Sequence, residues 1–81
     1  MVEIMKITIH TESIKLDQFL KWAGLVISGG EAKNIILEGM VKVNGEVVFS
    51  RGMHIQPGDR LDIEGLEESI LVEKETGQGG D

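Results

Sequence analysis

Residues 28–45, SGGEAKNIILEGMVKVNG, hold a helix start, a helix stop, a strand and a hairpin turn in unbroken succession. The Ser28 hydroxyl can accept from the Glu31 N–H three residues on, while the Glu31 carboxylate can reach back to the Ser28 N–H, the reciprocal pattern of a capping box. Gly29 and Gly30 leave the first-turn N–H groups uncovered by side chains. Such a helix end attracts anions, phosphate included, because its free donors and the macrodipole act together. Ala32, Ile35 and Ile36 recur at helical spacing with Lys33, Asn34 and Glu38 off that stripe, and Gly39 supplies the left-handed residue that ends the helix. Val41 and Val43 then face one way and Lys42 the other, ahead of Asn44-Gly45, the strongest two-residue hairpin signal.

Upstream, Leu16, Phe19, Leu20 and Ala23 stand at i, i+3, i+4 and i+7, the buried stripe of a first helix closed by Gly24. Ser13 offers a cap for it, and Lys15, Gln18 and Lys21 lie off the stripe. Trp22 falls at its edge, where an indole either lids a small core or offers a stacking face to a base or sugar. Leu25, Val26 and Ile27 join the two helices and read as a tight, packed apolar corner. Residues 5–10 alternate, with Met5, Ile7 and Ile9 on one face, and predict a first strand. Neither His10 nor His54 has a Cys or carboxylate at ligand spacing, so both read as solvated residues and no metal site is expected.

Downstream, residues 46–49 return as the second strand of the hairpin, and Ser50-Arg51-Gly52 form an exposed corner. Gln56-Pro57-Gly58-Asp59 has Pro at the second and Gly at the third position, the pattern of a type II turn. Leu61 and Ile63 alternate with charged residues in a further strand, residues 69–73 suggest one more, and TGQGGD at 76–81 reads as a flexible tail.

The chain of 81 residues is long enough for one domain, assigned to residues 1–75 with its motif core at 14–65. At 41% hydrophobic and 27% charged residues it has the balance of a folded protein rather than a disordered one. The lack of cysteine excludes disulfides, thiolate metal sites and a Cys nucleophile, and suits a reducing compartment. No basic-then-apolar leader and no run of roughly 20 apolar residues is present, so a cytoplasmic protein with no membrane partner is expected. A net charge of −6 opposes nucleic-acid binding at first sight. Its placement softens the objection: residues 66–81 carry five acids against Lys74 alone, while residues 13–65 are close to neutral.

Taken together, Lys15-Leu16-Asp17, Gly24, Ser28, Ala32-Lys33, the run from Gly39 to Gly45 and Gly58-Asp59 resemble the RNA-binding domain named after small-subunit ribosomal protein S-four, the alpha-L motif. The SGGEAK form and the small size are most similar to the stand-alone, YaaA-type members. The resemblance implies an α+β fold, a two-helix alpha-L motif packed on a small mixed or antiparallel sheet. It also implies a non-catalytic module for structured RNA, ribosomal or transfer RNA, with ribosome association and no cofactor. Lys15, Lys21, Lys33, Lys42 and Arg51 would meet phosphates, and Ser28 and Gly29 would present the helix terminus. Larger members of the family carry Arg where Lys15 stands and a basic residue where Gly29 stands; Lys keeps the charge but lacks the bidentate fork of Arg.

Two other classes fit parts of the chain. VKVNGEVV, GDRLDI and the late Gly79-Gly80 also resemble beta-grasp sulfur carriers, although Asp81 follows the glycines. The acidic tail would also serve a protein-binding adaptor. No Ser-His-Asp set, carboxylate pair or phosphate loop is visible, so enzymatic activity is not expected.

Overall fold

A computed structural model of the protein describes residues 3–75. Seven strands and two helices follow in the order β1 (Glu3–Ile9), β2 (Ile14–Lys15), α1 (Leu16–Trp22), α2 (Gly29–Leu37), β3 (Val41–Val43), β4 (Glu46–Val47), β5 (His54–Ile55), β6 (Arg60–Ile63) and β7 (Glu68–Lys74). Five strands form one mixed sheet in the order β1-β7-β6-β3-β4, and β2 pairs with β5 in a separate ribbon. The fold is α+β, as the sequence implied. The tail at 76–81, with the Gly79-Gly80 pair on which the sulfur-carrier alternative depends, lies outside the described residues.

One sheet face builds the core. Val41, Val43, Leu61, Ile70, Val72 and Ile9 turn inward from the sheet and meet Leu16, Phe19 and Leu20 of α1 and Ala32 and Ile36 of α2 in a single buried cluster. The strand register sends the alternate residues outward: Lys42 lies opposite Asp62, and Lys6 and Thr8 lie opposite Leu71 and Glu73. Both helices therefore cover the same side, because a two-layer fold this small has apolar surface enough for only one core.

The short motifs that mark the sequence are tied to one another in space. Asn44 and Gly45 have φ of 53° and 89°, the pair of positive values that a two-residue type I′ hairpin requires. The Asn44 amide donates to Asp59 Oδ1 at 3.1 Å, and its carbonyl oxygen accepts from the Arg60 N–H at 3.0 Å. Asp59 in turn accepts from the Gln56 N–H at 2.8 Å, across the Pro57-Gly58 turn. The hairpin tip and the later turn thus hold each other in register.

Four expectations are corrected. The link between the helices is not a packed corner, since Val26 is buried but Ile27 is 92% exposed. Glu31 accepts from the Ile27 N–H at 2.9 Å rather than from Ser28, which fixes Ile27 by its backbone and lets its side chain face outward. The cap of α1 is Lys15, not Ser13. The strand expected over residues 46–49 stops at Val47. Phe49 instead turns over Gly39, where an added Cβ would lie 3.2 Å from its ring. With φ of +77° as well, Gly39 is held to glycine by both its conformation and its neighbour.

Candidate nucleic-acid interface

Of the eight Lys and Arg side chains, three are neutralised locally. Lys6 pairs with Glu73 at 3.9 Å, Arg60 with Asp62 at 3.8 Å and Lys74 with Glu12. The other five, Lys15, Lys21, Lys33, Lys42 and Arg51, are exposed and form no ion pair among the described residues. They are the five cations that the sequence marked as phosphate-seeking.

Two of them are brought together by the backbone. The Leu16 N–H donates to Met53 O at 2.8 Å and the Asp17 N–H to Arg51 O at 3.2 Å, so the corner carrying Arg51 is stitched to the start of α1 beside Lys15. Lys15 also stands directly opposite His54 in the β2–β5 ribbon, and His54 Nδ1 lies 3.2 Å from Ser13 Oγ. His54 is exposed, as expected of a solvated residue. Its place beside Lys15 depends on a pairing between strands of two residues each, which sequence periodicity does not reveal.

The second group is carried by α2. Ser28 Oγ accepts from the Glu31 N–H at 3.1 Å, which sets the helix start, and the Glu31 carboxylate is turned toward Ile27. A Cβ at Gly29 would meet nothing within 4 Å, and one at Gly30 only Ser28 Oγ at 3.8 Å. Neither glycine is demanded by packing within the chain, and the first-turn backbone is open to approach. Lys33 follows one turn later, next to the buried Ala32 but itself exposed. Lys21 is exposed in the last turn of α1, whose buried residues are Leu16, Phe19 and Leu20.

Lys42 does not join this group. It projects from the sheet face opposite the core, facing Asp62 across the β3–β6 pair, at a concave site that also includes Gly39, Met40 and Glu64. Glu64 adds an acidic group to this site, where Asp62 is already engaged by Arg60. Among the described residues no cluster of three or more His, Cys, Asp or Glu side chains could hold a metal ion, and no helix is long and apolar enough to cross a membrane.

Comparison with known proteins gives a consistent pattern. Residues 7–73 match the S4 domain family, a span that extends beyond the 14–65 core at both ends. Over 60 residues the chain is 48% identical to a probable ribosome maturation protein, RlbA, of Bacillus subtilis (strain 168), covering 74% of this chain and 84% of that one. It is 45% identical over 53 residues to an uncharacterized RNA pseudouridine synthase of Aquifex aeolicus, covering 64% of this chain but only 21% of the synthase. Among solved structures, a pseudouridylate synthase aligns with a TM-score of 0.58 and 29% identity over 63% of this chain and 22% of its own. The 30S ribosomal protein S4e of Thermoplasma acidophilum aligns with a TM-score of 0.53 and 27% identity, over 73% and 30%. The enzymes are matched over about a fifth of their length, and the maturation protein over most of it. With more than half of its length matched and a relative of nearly its own size, this chain belongs to the S4 domain family.

Proposed function

We propose that the protein is a non-catalytic RNA-binding module that recognises structured ribosomal or transfer RNA through its backbone phosphates, in association with the ribosome in the cytoplasm. The observation that carries this reading is the division of its cations: three are neutralised by carboxylates, and the exposed ones around α1 and α2 are not. A helical RNA hides its major-groove edges, so a small domain meets phosphates, 2′-hydroxyls and shape. Lys15 and Arg51 form one contact group, Ser28, Gly29 and Lys33 a second, and Lys21 a flank. His54 adds a ring donor beside Lys15. Lys42, opposite Asp62, contributes little. The likeness to a ribosome maturation protein across most of that protein's length supports the ribosomal partner. The Ser28 hydroxyl is engaged as a cap rather than free as a nucleophile.

Salt titration tests this. Three or four phosphate contacts give a log-log slope of affinity against salt on the order of −2 to −4. Lys33→Ala should flatten that slope and weaken binding to all structured RNAs alike, while Lys42→Ala changes it little. Equal effects of the two substitutions would mean diffuse attraction, and no binding at low salt would end the RNA reading.

A further inference from the structure

Trp22 is not a lid on the core. The residue is 51% exposed although it sits on a seven-residue helix whose other large apolar residues are fully buried. It is nevertheless fixed. Its Nε1–H donates to Thr8 O at 2.8 Å, and the His10 ring stands edge-on to it at 5.2 Å and 84°. His10 is itself held by Glu75. The indole forms one wall of an open cleft of about 110 Å³, completed by Ile9, His10, Thr11 and Ile14.

The cleft selects its occupant by three features. Its indole has already used its single donor, so what it offers a ligand is a π face and apolar walls. Its volume accepts a flat ring, and is too small for the face of a helix or strand. The nearby carboxylates are both engaged, Glu75 with the His10 ring and Glu12 with Lys74, whereas two cations adjoin lining residues in the chain. Lys15 follows Ile14 and Lys21 precedes Trp22 in the chain, and both are exposed cations without an ion pair among the described residues. A planar, apolar-faced group tethered to anions meets all three conditions, and a nucleotide is such a group. Bases stack on aromatic side chains when they are free of their own helix.

We infer that the Trp22 cleft is a stacking subsite for one unpaired nucleobase, an inference that rests on the RNA-binding reading above and adds to it a preference for RNA with a bulged or looped nucleotide. The fixed indole loses little freedom on stacking, which favours binding by preorganisation.

The chain contains one Trp and no Tyr, so its intrinsic emission reports on this site alone. Two dye-labelled RNA hairpins are compared, identical except that one carries a single bulged adenosine; anisotropy of the dye reads binding and Trp22 emission reads stacking. The bulged hairpin should quench Trp22 in step with binding, and the fully paired stem should bind with little quenching. Trp22→Leu should weaken binding to the bulged hairpin roughly 5- to 150-fold, the range for loss of one base–aromatic stack. It should leave the paired hairpin and both salt slopes nearly unchanged, and Trp22→Phe should recover much of the loss. Binding of both hairpins without differential quenching overturns the subsite while leaving RNA binding intact, and so does an equal loss on both RNAs with Trp22→Leu. Failure of both hairpins to bind the unmodified protein at low salt overturns the RNA reading and the subsite with it.

Discussion

The two helices begin in opposite ways. α1 starts at Lys15, whose side chain makes no capping bond; its first N–H groups are instead satisfied by Met53 O and Arg51 O, more than thirty positions along the chain. α2 starts at Ser28, whose hydroxyl serves the Glu31 N–H within the same turn. A helix start secured by a distant loop has used its donors and gains a fixed neighbour, here Arg51. A start secured locally leaves the first-turn backbone, here at Gly29 and Gly30, uncovered by side chains. The contrast assigns different tasks to the two ends: α1 gathers cations, and α2 presents backbone.

The largest effect that can disturb this contrast comes from the core that both helices share. Leu20→Ala, at a fully buried position of α1, should cost roughly 2–5 kcal/mol in chemical denaturation. A seven-residue helix has no stability of its own to offset such a loss, and a cost near zero would mean that α1 is anchored elsewhere. Next in size, Ser28→Ala should cost about 1 kcal/mol by removing the local cap. Lys15→Ala, at the equivalent position of α1, should cost well under that because no side-chain cap is lost; equal costs would erase the distinction between the two starts. Smallest is Gly29→Glu, which has room for its side chain. It replaces a helical glycine and sets a carboxylate at the positive end of the dipole, so thermal stability should rise by about 0.5–1 kcal/mol. RNA affinity should fall in the same variant, measured by anisotropy. A rise in both would show that the α2 terminus does not meet phosphate.

Much of this was legible because it is local. The Ser28 cap, the left-handed Gly39 and the Asn44-Gly45 turn each depend on neighbouring residues, and a few positions of sequence contain their whole cause. Ile27 misled because an apolar residue between two helices is usually buried. Its outward turn goes with a Glu31 carboxylate that takes the Ile27 N–H, one residue before the Ser28 N–H that the capping-box pattern assigns to it. The sites hardest to read are those assembled from remote segments. His54 beside Lys15 needs the β2–β5 pairing, and the exposure of Trp22 needs Thr8 O and the His10 ring. Residues 69–73 alternate only weakly because both faces of β7 are covered, with Ile70 and Val72 buried on one and Ser69 buried and Leu71 half-buried on the other.

The parallel pairing of β1 with β7, in register from Glu3 opposite Glu68 to Ile9 opposite Lys74, bears on the order in which the molecule can assemble. β1 has as its sheet partner the last described strand, across the same 65-position separation that spans His10 and Glu75. α2 with its Ser28 cap, the Asn44-Gly45 hairpin and the Gln56–Asp59 turn are closed by contacts much nearer in sequence and can form while β1 still waits. Because the entropy of closing so long a loop must be met before any β1–β7 bond forms, this pairing should come late in folding, which pulsed hydrogen exchange of the β1 amides would show. Until it closes, β1 is an unpaired strand with Met5, Ile7 and Ile9 along one face, and the nascent chain is most exposed to mispairing during that interval.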